Sequence, residues 1–554
     1  IKKMHPGLIL LFTGLFTILI PFKFARYIWF FSSVISLYLS VTLDFGSSLT
    51  FKYLNFEIVL LRVDGLSKVF AIIFSLMTLI GLIFAWNQKS KSELLAVLIY
   101  SGAAIGAVLA GDVFSLFFFW ELMAIGSTLI IFSANTRFSS KAGFRYALIH
   151  FAGGVVLMAG LTGYVAETNS VVFENFTLES PFSWMILAGF LVNAGAPPFS
   201  SWLPDAYPEA SFSGSVFLSA FTTKTAVYTL LRGFPGNEIL IAFGLFMIFY
   251  GIIYALLEND MRRILSYSII NQVGFMVVGA GIGTEMAING ASAHAFAHIL
   301  YKALLLMSAG SVFLMTGKRK CSELGGLFQT MPLTMICGTI GAFAISAFPL
   351  TSGFVTKSMI SQAVADQHLF VVWLLLAAAS AGVFLHAGIK FPWFVFFQKD
   401  SGLRPPEPPI NMRLAMIILS LLCIGIGVFP GYLYSILPYA VNYIPYTASH
   451  FVFQLQLLLF AGFAFFVMLP WLKRTLTISL DTDWFYRRFF PSIISNLNSK
   501  KFIFTKSSPI KSIHKINDGM RISKVLIKNY SSGEMVLWVT IILALYLFIF
   551  YLIK

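Results

Sequence analysis

Charge is scarce in this chain: 11% of its 554 residues are Asp, Glu, Lys or Arg, against 58% that are hydrophobic. With a mean hydropathy of +0.84, so little charge excludes a soluble domain. Cysteine is scarcer still. Cys321, Cys337 and Cys423 stand far apart with no CxxC pair, so neither a disulfide framework nor an iron–sulfur or other metal site is suggested. No flavin or haem motif occurs, so no cofactor is expected and any redox chemistry belongs to partners. Acidic residues are fewer than basic ones, 23 against 38. In a soluble protein that surplus would suggest nucleic acid. In a membrane protein, basic cytoplasmic loops account for it, and no nucleic-acid partner is expected.

What is abundant is apolar sequence in runs of membrane-spanning length. About sixteen spans are predicted: 5–22, 24–42, 66–86, 92–110, 112–133, 142–166, 181–206, 213–232, 238–258, 261–282, 286–316, 336–362, 370–396, 412–434, 451–472 and 534–553. The seventh is interrupted by Pro197 and Pro198, the twelfth near Pro349 and Gly353. The first run is long enough to be a retained span rather than a cleaved signal. Lys23, Lys89, Lys91, Arg137, Lys141, Arg262, Arg263 and Lys318–Lys320 fall in alternate loops, and Glu167, Glu174, Glu179 and Glu285 in the others. This asymmetry predicts a multi-pass protein of the cell membrane with its N-terminus outside.

The pattern divides the chain into N-terminal helices (1–91), two repeats (92–232 and 238–396), C-terminal core helices (397–473), a basic stretch (474–532) and a last helix (533–554). Five spans per repeat is an odd number, so the second repeat is inverted, and each repeat contains one broken helix. In the basic stretch Ile510, Ile513, Ile516, Met520 and Val525 recur at helical spacing. They read either as an amphipathic lateral helix along the membrane or as a solvated linker. The fold class is thus an all-α polytopic membrane protein. About fourteen core helices form the inverted repeats and their flanks, followed by a C-terminal span, the lateral helix and a last span.

Ionisable groups inside spans are costly and mark function. Glu121, His150, Lys224, His294, His298, Lys302, Lys357 and Lys390 lie within or at the ends of spans. Snorkelling to the interface is the plain alternative for Lys390 and Lys357, and a satisfied core histidine for His150. Lys224 and Lys302 sit too deep for it. His294, His298 and Lys302 are spaced i, i+4, i+8, so they share one helical face. Histidine titrates near neutrality and a desolvated lysine releases its proton, so such a row can pass protons stepwise. No carboxylate or cysteine completes a metal site beside the histidines.

At these residues the chain resembles the antiporter-like subunits of Mrp cation/proton antiporters, NADH–quinone dehydrogenase and membrane-bound hydrogenases. PPFSSWLPDAYPEASFSGSVFLSAFTTKTAVYTLLRGFPG is similar to the D-type Mrp subunit, and LLENDMRRILSYSIINQVGF, HAFAHILYKALLL and FPLTSGFVTK follow in family order. The resemblance covers about residues 60–435. It implies that Glu121 is the fifth-helix glutamate that pairs with a seventh-helix lysine and that Lys224 is the eighth-helix lysine. It likewise implies that His294, His298 and Lys302 form the central row, and that Lys357 leads to the outer exit. Two positions depart from the family: Asn193 stands where the seventh-helix lysine is usual, and Ser200 where a histidine is. Three functions follow as expectations. One is a proton-translocating subunit of a multi-subunit Na+/H+ antiporter. The second is a proton-pumping subunit of a redox complex, and the third a coupling or scaffold subunit with a degraded channel. The expected partners are other membrane subunits, protons, sodium and lipid. Without the usual lysine, Glu121 is expected to pair with Lys224, directly or through one water.

Overall fold

Lipid offers backbone groups no hydrogen bonds, so apolar runs close theirs within helices. The computed structural model describes residues 4–53, 55–470, 481, 482, 484–489, 492 and 493. It divides into two units, Ile1–Trp484 and Phe485–Lys554. Of the second unit, a π-helical turn at Phe485–Phe489 is described. The lateral helix and the last span expected over 474–532 and 534–553 lie almost wholly outside the described residues.

The first unit begins with α1 (Pro6–Phe16), α2 (Phe22–Thr42) and an antiparallel hairpin of β1 (Ser48–Tyr53) and β2 (Phe56–Arg62). Then come α3 (Gly65–Phe84), α4 (Lys91–Leu109), α5 (Val113–Phe132) and α6 (Arg137–Thr168). The first broken pair is α7 (Pro181–Ala194) and α8 (Trp202–Ala206), followed by α9 (Gly214–Ala220) and α10 (Thr222–Gly233). The centre is α11 (Ile239–Leu257), α12 (Met261–Ile282) and α13 (Glu285–Thr316). The chain continues through α14 (Pro332–Ile345), α15 (Ser352–Asp366), α16 (Phe370–Val383), α17 (Ile410–Val428), α18 (Gly431–Tyr434) and α19 (Ala448–Met468).

Among the described residues, eleven helices are long and apolar enough to cross a membrane. The first expected span, 5–22, shortens to the 11 residues of α1. The hairpin has no counterpart among the spans expected from hydropathy. It is tied in where Gly111 N–H donates to Val59 O and Val59 N–H to Asp112 Oδ2. The most hydrophobic stretch of α12 is wholly buried, whereas 22% of that of α19 is. The charged row is therefore carried by the centre of the bundle, and α19 lies at its edge.

Each break has a local cause. After α7, Gly195 turns left-handed at φ 79° and the two prolines follow. The indole of Trp202 donates to the Val192 carbonyl at 3.1 Å, beside the bond that the same carbonyl accepts from Gly195 N–H, and so ties the break to the end of α7. Between α14 and α15, Ala347 and Leu350 adopt φ 56° and 67°. A side chain on Gly353 would run into the Ala344 carbonyl, so only glycine fits there.

The expected continuous span 213–232 is corrected. It breaks at Phe221, because the Tyr100 hydroxyl inserts into the backbone ladder. That hydroxyl donates to Leu218 O at 3.2 Å and accepts from Thr222 N–H at 3.0 Å, replacing one i→i+4 bond. The next carbonyl along, Ser219 O, accepts from Lys224 Nζ at 2.7 Å. Span 370–396 also differs, because beyond Val383 it continues as π-helical segments, Phe384–Lys390 and Trp393–Phe397.

Charged pairs pin the ends of the bundle. Arg145 on α6 clamps Asp205 on α8 through Nε and Nη2 at 2.6 and 2.8 Å. Arg232 grips both oxygens of Asp64, the cap of α3. Burial is the largest single influence on Asp64 and opposes its ionisation, but the Arg232 guanidinium, the Ser67 N–H and Arg62 together outweigh it and hold the carboxyl below its usual value. The Asp205 side chain is 3% exposed and that of Arg145 23%. Arg145→Ala strips a buried carboxylate of two charge-assisted bonds and is expected to cost roughly 2–3 kcal/mol. Thermal unfolding of the detergent-solubilised protein checks this, and an unshifted Tm would show the clamp to be ornamental.

Candidate functional site

The helical spacing of His294, His298 and Lys302 places them on the face of α13 turned inward, and all three are fully buried. His294 Nε2 lies 3.1 Å from Gln272 Oε1 on α12, and Nδ1 lies 3.2 Å from Thr356 Oγ1 on α15. An amide oxygen only accepts, so in the neutral ring Nε2 carries the hydrogen and Nδ1 takes the Thr356 hydroxyl. When Nδ1 gains a proton, Thr356 can donate instead to Ser352 O, 3.0 Å away. Tyr301 reaches the same Gln272 oxygen at 3.2 Å.

Lys302 Nζ donates to Ser268 Oγ at 2.9 Å. Both ring nitrogens of His298 are buried and, among the described residues, neither meets a hydrogen-bond partner. The charges of Lys224, Lys302 and Lys357 all act on that ring. Lys357 follows Thr356 on α15. Its ammonium sits 4.6 Å from the centre of the Phe275 ring and 3.3 Å from Ile345 O, a carbonyl at the α14 break. Among the described residues, no group of three His, Cys, Asp or Glu is placed to hold a metal.

In the first half the direct form of the expected pair is absent. Glu121 and Lys224 form no ion pair within 4 Å, and Lys224 bonds Ser219 O and Thr223 Oγ1 instead. The break at Phe221 supplies neutral acceptors locally, and these satisfy an ammonium without a carboxylate. Glu121 faces Gly154 on α6, and its Oε1 is buried without a partner. One turn earlier on α6, His150 Nδ1 meets Asn193 Oδ1 at 2.9 Å, with Tyr146 and Trp202 packed on the ring. Ser200 is buried, with its hydroxyl next to that of Tyr250.

Lys390 is anchored more firmly than the rest. Its ammonium donates to Ala255 O, Leu256 O and Glu258 O at 3.1, 2.6 and 2.5 Å, capping the C-terminal end of α11. Lysine there satisfies carbonyls that a helix end leaves open. Lys390→Met is expected to cost about 2 kcal/mol of stability through these orphaned acceptors. A Tm equal to wild type would refute the capping role.

Sequence reasoning misses Gln272, Ser268, Tyr301 and Thr356, and two buried ionisable groups, His386 and Glu93. His386 sits in the π-helical turn before Lys390, with Nδ1 on Gly382 O at 2.8 Å. Glu93 accepts from Gln88, Ser211 and Ser213 at the start of α4. The adjacent amides Asn271–Gln272 inside an apolar run are a legible signal. The hydroxyls are not, because serine and threonine are common in buried helices as satisfied core residues.

A family model described as NADH:quinone oxidoreductase/Mrp antiporter, TM matches residues 110–383. The probable K(+)/H(+) antiporter A/B subunit of Rhizobium meliloti is 29% identical over 408 residues, 68% of this chain and 40% of that protein. The D-type subunit of the Na(+)/H(+) antiporter of Alkalihalophilus pseudofirmus is 28% identical over 411 residues, 68% of this chain and 82% of that protein. The chain therefore spans two-fifths of the first relative's length and about four-fifths of the second's. In three dimensions, a chain of the membrane-bound sulfane sulfur reductase, an archaeal respiratory membrane complex, superposes with a TM-score of 0.75. The match is at 22% identity over 99% of this chain and all of the other.

Proposed function

We propose that the chain, which is similar over residues 110–383 to the transmembrane core of the NADH:quinone oxidoreductase/Mrp antiporter subunits, is the proton-translocating subunit of a multi-subunit Mrp-type Na+/H+ antiporter. The observation that carries this reading is the buried file of bases from Lys224 through His298, Lys302 and His294 to Lys357. Each member can hold or release one proton, and the file contains no carboxylate to arrest a metal ion. His294 can take up a second proton on Nδ1, because Thr356 then turns from donor to acceptor and gives its own hydrogen to Ser352 O. Lys224 and Lys357, each at a helix break, are the two ends, because carbonyls freed by a break can hold water as well as an ammonium.

In this reading residues 92–232 and 238–396 are the inverted repeats, the N-terminus faces outside, and the other partners are membrane subunits, sodium ions and lipid. His150 and Asn193 stand in for the missing lysine of the first half. Lys390 is its outlying member, in the relay only if the α11 cap opens.

A second reading is the proton-pumping subunit of a redox complex. It is favoured by the superposition on a chain of an archaeal respiratory membrane complex at a TM-score of 0.75. The test is proton flux in sealed vesicles holding the purified complex, driven by an imposed sodium gradient without redox substrates. Sodium-dependent flux supports the antiporter. Flux that needs an electron donor, together with hydrophilic redox subunits in the preparation, replaces it with the second reading.

A further inference from the structure

A cavity of about 300 Å3 opens beside Lys357 and is walled on one side by α19, the edge helix that follows the family core. Its polar lining includes Lys357, Ser361, Gln362, Ser380, His450 and Gln454. His450, in the first turn of α19, stacks on Phe354 at 4.4 Å between ring centres. Phe354 precedes Lys357 by three residues on α15, so the imidazole lies over the turn of helix that presents the ammonium. Tyr446 stacks on Phe354 as well, at 5.2 Å. Gln454 donates to Ser346 O, the carbonyl that ends α14. The edge helix thus closes over the second helix break through an aromatic stack and an amide.

We propose that His450 is the proton-exchange group between Lys357 and the aqueous phase. This rests on the reading of Lys357 as an end of the proton file. His450 Nδ1 lies 2.7 Å from the Pro445 carbonyl, which can only accept. Nδ1 therefore carries the hydrogen, and Nε2 presents its lone pair. A proton leaving the Lys357 ammonium, directly or along water in the cavity, binds Nε2, leaving a neutral amine and an imidazolium. The imidazolium then releases the same proton from Nε2 to bulk water and returns to its first tautomer. Phe354 holds the ring in place, and Pro445 fixes the tautomer. The remaining ionisable group on the cavity wall is Tyr443; among the described residues no carboxylate lines it, and Asp366 stands behind it, accepting from the lining amide of Gln362 at 2.8 Å.

The test uses the assembled complex in sealed vesicles. Ser449→Cys, next to His450 on the cavity wall, is expected to react with a membrane-impermeant maleimide from one side. His450→Gln is expected to lower proton flux about tenfold or more. Added imidazole on the labelled side is expected to restore much of the flux in His450→Ala, a recovery that a packing role would not give. Lys357→Ala serves as the control for the underlying reading. Wild-type flux in Lys357→Ala sinks that reading. Lost flux in Lys357→Ala with wild-type flux in His450→Gln, or with no rescue of His450→Ala by imidazole, overturns the role of His450 alone.

Discussion

Replacing Lys302 by methionine is expected to lower proton flux by about a hundredfold or more while leaving the melting temperature unchanged or slightly raised. Lys302 is fully buried at the middle of the file, and its ammonium has neutral partners only, Ser268 Oγ and Leu265 O. No carboxylate repays its desolvation, so an isosteric apolar chain removes an unfavourable charge and leaves one hydroxyl and one helical carbonyl, both of which keep other bonding choices. Function and stability are therefore expected to move in opposite directions, which distinguishes a transport residue from a core residue. The two measurements are flux in sealed vesicles and thermal unfolding of the purified complex. A variant that unfolds early would show that Lys302 holds the bundle together. A stable variant with wild-type flux would remove it from the path.

Asn193→Lys, which restores the residue usual in the family, is expected to assemble normally and to lose at least about tenfold in flux. The packing around Asn193 supplies a reason that the sequence does not. Asn193 Oδ1 accepts from His150 Nδ1, and a lysine ammonium has donors only. The imidazole would have to turn its lone pair to the new ammonium and would then face a positive charge whenever it took up a second proton. His150 would be held in one state, and a relay needs two.

Removing the histidine as well should relieve the conflict. Gly154, against which Glu121 lies, is one turn, about 6 Å, along α6 from His150. In Asn193→Lys/His150→Ala the new lysine has room to reach the Glu121 carboxylate and make the pair the family uses. The double variant is therefore expected to carry more flux than the single one, a coupling that a double-mutant cycle measures directly. Flux in Asn193→Lys equal to wild type, or a double variant no better than the single, would show that His150 has not replaced the lysine.

Much of the architecture is legible in the residues alone. Apolar runs must become helices because lipid leaves them no alternative, so most spans, and the breaks near Pro197 and between Pro349 and Gly353, can be placed from residue type. The i, i+4, i+8 spacing puts His294, His298 and Lys302 on one face, because helix geometry is local. The break at Phe221 is not legible. Its cause is the hydroxyl of Tyr100, more than a hundred residues away, and nothing in FLSAFTTKTAV marks the place. The same applies to Lys224, whose acceptors exist because of that break.

The sequence by itself thus determined the class of protein, the course of most of its helices and the shared face of His294, His298 and Lys302, since hydropathy and helical period depend on neighbours along the chain. Only the tertiary structure decided what each of those groups faces. It gave Lys224 neutral acceptors in place of a direct ion pair with Glu121, joined His150 to Asn193, turned Lys390 into a helix cap and brought His450 to the cavity of Lys357. A buried charge takes whichever donor or acceptor the packing of other helices leaves within about 3 Å, and that is a property of the bundle rather than of any one segment.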